Sequence, residues 1–349
     1  MARPVSNPPN RFEPTHIEWA DDLGPPDAQL QVFEERAKSC LTENRSPDIP
    51  FRFGLNPYRG CQHACAYCYA RRSHPFLGFG AGTDFDKKIV VKVNAPDVLA
   101  GELRHGKARG QLVSVSGITD PYQPLEARYT LTRRCLEVLE RFENPVAIIT
   151  KSALVRRDAE ILARMQKVAG ASVFLSVPIF DPELARAIEP GAPTPRERFA
   201  AMAALSEAGV ETGVAIAPLI PGLNESDIPR ILEAAQRAGA RSAFLSLLRL
   251  PGEVREVFEE RLRECVPGKA KKVLAALHEM RAGRANEGAF GERMRGHGAR
   301  WESISQLFDT CCRRLGFESG EAGQEERLRP IGIDPNKRPQ ARQGELFRE

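Results

Sequence analysis

Six short apolar runs punctuate the chain: "FRFGLN" (51–56), "QLVSVS" (111–116), "VAIIT" (146–150), "SVFLSV" (172–177), "TGVAIA" (212–217) and "SAFLSL" (242–247). Their β-branched and aromatic content reads as buried strand. Most are followed by a stretch with helical spacing before the next run begins. Strands alternating with helices imply parallel strands joined by crossover helices. "KIVVKV" (88–93) is an extra strand outside that rhythm, and "LQVFEERAK" (Leu30–Lys38) reads as a short helix.

The helical stretches carry their own punctuation. Thr194 can cap, Pro195 suits the first helical position, Glu197 completes a capping box, and Gly209 ends that helix. Asn224 and Gly239 frame the next one. In "LTRRCLEVLERF" (131–142), Leu131, Cys135, Val138, Leu139 and Phe142 share one face, which should pack on the sheet. After Leu250 the strands stop, and two helical segments follow, around 252–282 and 299–316.

The expected architecture is therefore α/β. Residues 1–45 form an irregular N-terminal arm with little periodicity; with the next five they hold eight of the 27 prolines. Residues 46–250 form a six-unit βα domain, 251–317 a C-terminal helical extension, and 318–349 a Glu/Arg/Gln/Pro/Gly-rich tail that reads as disordered. A length of 349 residues with 42% hydrophobic positions is enough to bury a large core. The net charge of +4 is compatible with a nucleic-acid partner without arguing for one. No apolar run is long enough to span a bilayer, and "MARPVSNPPNRFEP" lacks the apolar centre of a signal peptide, so the reading is cytoplasmic with no membrane partner.

In a reducing compartment, clustered cysteines point to metal or catalysis rather than to disulfides. Three of the eight cysteines stand in "GCQHACAYCYA", where Cys61, Cys65 and Cys68 form a C-x3-C-x2-C pattern just after the first run. Loops at the C-terminal ends of barrel strands build active sites. Three thiolates at these intervals can wrap one face of an iron–sulfur cubane and leave its fourth iron open. Zinc would need a fourth ligand, and neither His63 nor His74 makes the usual pairing of two C-x2-C units. Three core cysteines are a poor alternative beside polar Gln62, His63, Arg71 and Arg72.

The C-x3-C-x2-C motif, with an aromatic before its last cysteine and at the head of a six-unit βα chain, resembles the radical S-adenosylmethionine (radical SAM) superfamily. The strings "LNPYRGCQHACAYCYARRSH", "TDPYQPLE", "ITKSALVRRDAEIL", "AIEPGAP" and "PLIPGLNE" are similar to its spore photoproduct lyase-like branch. The similarity runs from about Ser46 to Phe317. It implies a partial (βα)6 TIM-type barrel, a [4Fe–4S] cluster held by Cys61, Cys65 and Cys68, and S-adenosylmethionine chelated to the open iron. It implies an enzyme in which one electron from the reduced cluster splits the sulfonium, giving methionine and a 5′-deoxyadenosyl radical that takes hydrogen from a substrate. An electron donor of the flavodoxin or ferredoxin type follows as a partner.

The resemblance also suggests roles for individual residues. Tyr67 would pack beside adenine. Ser116, Gly117, Thr119 and Asp120 would lie near the methionine amino group, where an ammonium wants acceptors. Lys151 would pair with the methionine carboxylate, and Ser176 would reach the ribose hydroxyls. One departure stands out. Spore photoproduct lyase returns hydrogen to its product from a cysteine near the end of the second strand. Here the stretch is Gly117-Ile118-Thr119, and the next cysteine, Cys135, sits on an apolar helix face. The reaction is expected to differ, with Tyr122 or Tyr129 as candidate donors.

Elsewhere, Cys311 and Cys312 fall among apolar helix positions and read as packing. Residues 281–300 carry net charge +3, and "GERMRGHGARW" within them offers Arg293, Arg295 and Arg300 as a phosphate or nucleic-acid contact. "YARRSH" adds two more arginines beside the motif, to touch phosphate or simply to solvate the helix. In the tail, "QGELF" resembles bacterial sliding-clamp-binding peptides, with Gln343, Leu346 and Phe347 as the contacts. The leading expectation is a radical SAM enzyme acting on nucleic acid or a nucleotide. The alternative is an iron–sulfur protein that docks to DNA or a clamp without radical turnover.

Overall fold

A computed structural model describes residues 6–12, 29–49, 51–284, 286 and 288–317. Among the described residues there are ten strands: β1 (Gln31–Glu35), β2 (Leu41–Glu43), β3 (Phe53–Leu55), β4 (Tyr58–Arg59), β5 (Lys88–Lys92), β6 (Val113–Val115), β7 (Val146–Thr150), β8 (Ala171–Ser176), β9 (Glu211–Leu219) and β10 (Ser242–Leu247). β3, β6, β7, β8, β9 and β10 pair side by side in chain order, all parallel. Neighbours in sequence are thus neighbours in space, which right-handed crossovers allow only if the sheet curls one way. The result is a partial (βα)6 barrel, open between β10 and β3, with β2 added antiparallel outside β3.

The barrel strands read as near-continuous apolar runs because both faces are covered. All six residues of β8 are buried. Successive side chains alternate, so Phe174 and Ser176 face the same way. Phe174 and Phe244 meet inside at 5.4 Å, packed with Ala215. Gly213 makes room for them, since a Cβ there would collide with the Phe174 ring. On the outer face, the helix Leu131–Arg141 buries Leu131, Cys135, Val138 and Leu139. Cys311 and Cys312 are likewise core, in the helix Gly298–Leu315. The capping box at Thr194 and Glu197 forms as its spacing predicts.

Three local expectations are corrected. Residues 31–35 are not helical. They form β1, which pairs in parallel with β5 in a separate three-stranded sheet completed by β4. "QVFEE" has helix-compatible spacing, but the ladder to "KIVVK" satisfies its backbone and puts Phe33 against Phe79 at 5.2 Å. Asn224 does not cap with its side chain. It accepts from the Ile220 amide and donates to the carbonyls of Pro178 and Pro218, tying two strand ends together. The segment 252–282 is two helices, Val254–Cys265 and Pro267–Met280, because Pro267 cannot donate into a continuous helix. Gln343, Leu346 and Phe347 lie outside the described residues. Among the described residues, no helix is long and apolar enough to cross a membrane.

Candidate cluster and cofactor site

The cysteine loop leaves β4 through Gly60, whose φ of 79° favours glycine and whose Cβ would clash with Ile89 and Phe85. Two neighbouring segments then clamp the loop. From the segment after β6, the Thr119 hydroxyl donates to the Gly60 carbonyl at 2.6 Å, and the Gln123 amide donates to the same oxygen at 3.2 Å. The Gln62 amide N–H donates to Gln123 Oε1 at 3.1 Å. From the segment after β8, the Gly191 amide donates to the His63 carbonyl and the Ile188 carbonyl accepts from Ala66, both at 3.0 Å. The third clamp is internal. Arg71 is fully buried, donates to the Cys65 carbonyl at 3.0 Å, and pairs with Asp86 at 2.8 Å. Neither reading of Arg71, as a phosphate contact or as a solvating side chain, holds: a buried, paired guanidinium holds the loop, while Arg72 is exposed.

Cys61, Cys65 and Cys68 are free thiols inside this frame. Burial pushes all three above the usual thiol value, and as thiolates Cys65 and Cys68 would raise Cys61 further. Such a set loses its protons when a cation compensates the charge. Among the described residues, no three His, Cys, Asp or Glu side chains converge at single-ion spacing. Both histidines have other neighbours: His63 Nδ1 lies 3.2 Å from Asp120, and His74 Nε2 donates to the Lys88 carbonyl. Three free thiols on one loop, with both histidines engaged elsewhere, would hold three irons of a cluster and would leave a single zinc without its fourth ligand.

Beside the loop lies a network that spans three strand ends. Lys151, just after β7, donates to the Ser176 hydroxyl at 3.0 Å, and Ser176 donates to the Ala217 carbonyl. The Lys151 ammonium stands 5.4 Å over the Tyr67 ring and 3.9 Å from Glu189. The Tyr67 hydroxyl donates to Glu189, which also receives Arg198 at 2.5 Å. Arg198 continues to the Ser176 carbonyl at 2.9 Å. Burial raises the Glu189 carboxyl, and Arg198 opposes the rise. Tyr67, Lys151 and Ser176, proposed separately from sequence, are therefore brought together.

The "SGITD" residues divide. Ser116 and Gly117 are half-buried, and Gly117 has a φ of 119°. Thr119 is engaged with Gly60 and Gln123. Asp120 accepts from the Thr150 hydroxyl at 2.6 Å, the Lys151 amide at 2.8 Å and the Tyr122 amide at 2.9 Å. Burial would raise this carboxyl, but His63 and these donors hold it down at about 2. Asp120 in this form orients Lys151 and leaves little acceptor capacity for a ligand ammonium. Of the tyrosines, Tyr122 is buried near the loop, whereas the Tyr129 hydroxyl donates to Glu34 on an exposed surface. In the arginine-rich loop, Arg293 pairs with Asp48, Arg300 pairs with Glu225 at 2.5 Å, and Arg295 is exposed.

Sequence reasoning missed Glu189, Arg198 and Gln123. Arg198 had a signal: it shares spacing with Ala201, Met202 and Leu205, so it occupies a buried helical position.

Residues 55–235 match the model of the radical SAM superfamily. The chain belongs to the radical SAM superfamily. It is a radical SAM enzyme, and its cofactors are a [4Fe–4S] cluster and S-adenosylmethionine. Radical SAM enzymes need an electron donor. An uncharacterized protein of Mycobacterium tuberculosis is 40% identical over 234 residues, covering 66% of this chain and 68% of the relative. An uncharacterized protein of Methanocaldococcus jannaschii is 31% identical, covering 56% and 70%. Among solved structures, spore photoproduct lyase complexed with dinucleoside spore photoproduct shares the radical SAM barrel fold. The TM-score is 0.59 at 18% identity, with 82% of this chain and 80% of that chain covered.

Proposed function

We propose that this radical SAM enzyme takes hydrogen from a nucleic-acid or nucleotide substrate, with Cys61, Cys65 and Cys68 as cluster ligands. The observation that supports the site most directly is the convergence of Tyr67, Lys151, Ser176 and Glu189 beside those cysteines. When bound, the cluster and S-adenosylmethionine supply the 5′-deoxyadenosyl radical. The chain supplies binding and orientation. Lys151 offers a cation to the methionine carboxylate, held in place by Ser176 and by its own backbone bond to Asp120. Tyr67, fixed through Glu189, offers an aromatic face to adenine. Ser116 and Gly117 flank the methionine end.

The substrate class comes from the structural relative, which holds a dinucleoside spore photoproduct. The chemistry at the substrate is expected to differ from that relative's, because Gly117-Ile118-Thr119 contains no cysteine.

The test is anaerobic reconstitution with iron and sulfide, reduction, and assay for 5′-deoxyadenosine, without and with short oligodeoxynucleotides. Stimulation by an oligonucleotide is expected. Cluster assembly without any 5′-deoxyadenosine would favour a docking protein instead. Cys65→Ala should abolish the visible absorbance of the cluster.

A further inference from the structure

Arg249 lies two residues past β10, in a segment fixed on both sides. The Leu248 amide donates to the Leu219 carbonyl at 2.9 Å, and the Leu248 carbonyl accepts from Arg281 at 2.7 Å. Arg281 is fully buried and also donates to the carbonyls of Arg293 and Arg295, so it staples the arginine-rich loop to the end of β10. The Leu247 amide donates to the Met294 carbonyl at 3.1 Å, a second tie between the same two segments. The loop then reaches the β2–β3 turn, where the Gly291 amide and Arg293 both meet Asp48. It therefore bridges the two edges of the open sheet.

In this rigid setting Arg249 is half-buried, its Nε is closed off from solvent with no acceptor, and it makes no ion pair among the described residues. Its charged neighbours are mostly cations. Burial, and then Arg293, lower its proton affinity, with Arg72 adding to the effect and Tyr69 and Asp48 opposing it. Arg293 has a carboxylate in Asp48, whereas Arg249 has none of its own. A half-buried guanidinium with an unsatisfied Nε and no carboxylate of its own has donors to offer an anionic ligand. Two guanidiniums on segments tied together suit a phosphate, whose oxygens take planar forked donors.

We infer that Arg249, with Arg293 on the segment tied to it, forms a seat for a phosphate group of the substrate at the C-terminal end of β10. This rests on the nucleotide reading of the substrate, and it names the residue that reads the phosphate.

The experiment is calorimetric titration of the reconstituted, unreduced full chain with the dinucleotide pTpT and, separately, with thymidine. Wild type should bind pTpT, with thymidine much weaker. Arg249→Gln should weaken pTpT by roughly tenfold or more, as expected for loss of a charge-assisted contact. Arg241→Gln, at the exposed opposite end of β10, should stay within about twofold. Equal loss in both variants would reduce the effect to general charge and overturn the seat. So would wild-type affinity in Arg249→Gln, or no binding of pTpT by wild type. A melting measurement separates a structural role: Arg249→Met should melt at or above wild type without ligand, and a clear fall would refute the inference. None of these readouts needs radical turnover, so a failure to make 5′-deoxyadenosine would count against the enzyme reading and leave this result standing.

Discussion

Arg198 meets Glu189 at 2.5 Å with both side chains closed off from solvent. The pair joins the helix Pro195–Glu207 to the loop that carries Gly191, and through Tyr67 it reaches the cysteine motif. Removing one partner strands the other charge. Arg198→Met should therefore cost about 3–5 kcal/mol in urea unfolding. The double variant Arg198→Met/Glu189→Leu should recover part of that loss, because neither charge remains. A single variant within about 1 kcal/mol of wild type would show that the pair contributes little.

Lys151 is expected to act on the cofactor rather than on the fold. Its side chain is 15% exposed, and its backbone bond to Asp120 survives substitution. Lys151→Met should weaken S-adenosylmethionine binding by roughly 10- to 100-fold, the range for a lost charged hydrogen bond. Equilibrium dialysis on the reconstituted protein measures it, and an unchanged affinity would remove Lys151 from the methionine subsite.

Gly191 tests the clamp on the cysteine loop. A Cβ there would strike the Gln62 carbonyl oxygen, a backbone atom that cannot swing away. Gly191→Ala should cost about 1–3 kcal/mol through overpacking and should lower iron retained per chain after reconstitution. Normal stability with full iron content would mean that the loop has slack.

His74 should set an acid limb on stability. Its Nε2 donates to Lys88, so the second proton would go to Nδ1, which is buried without a partner. Burial, the largest influence, holds the imidazole down at about 4 against an ordinary 6.5. The unfolded chain then binds the proton more tightly than the folded one. This contribution is complete above pH 6.5 and is lost as pH falls from 6.5 toward 4, by an amount on the order of 3 kcal/mol. His74→Phe should flatten that limb in urea titrations between pH 4 and 7; an unchanged slope would exclude His74 as its source.

Much of the barrel was legible because buried parallel strands are written as uninterrupted apolar runs, and all six runs became neighbours in order. The strand at Gln31–Glu35 was not legible, because its partner lies more than fifty residues away and five residues cannot display a period. The site was readable in part. Tyr67, Lys151 and Ser176 stand at strand ends or in the motif, where position suggests chemistry. Glu189 and Arg198 are ordinary charged residues in a sequence, and only their mutual burial gives them a role. Asp120 shows the converse: its type suggested a ligand acceptor, yet its oxygens already serve Thr150, Lys151 and Tyr122.

The Arg281 staple has a consequence for how this surface can change. It grips the main-chain oxygens of Leu247, Leu248, Arg293 and Arg295. Carbonyl oxygens are the same whatever side chain they accompany. The loop's path is thus anchored without reference to most of its lettering, so side chains along it can be exchanged while the scaffold beneath them stays put. A library randomised at exposed loop positions, with Arg281 retained, is a natural starting point for redirecting the enzyme.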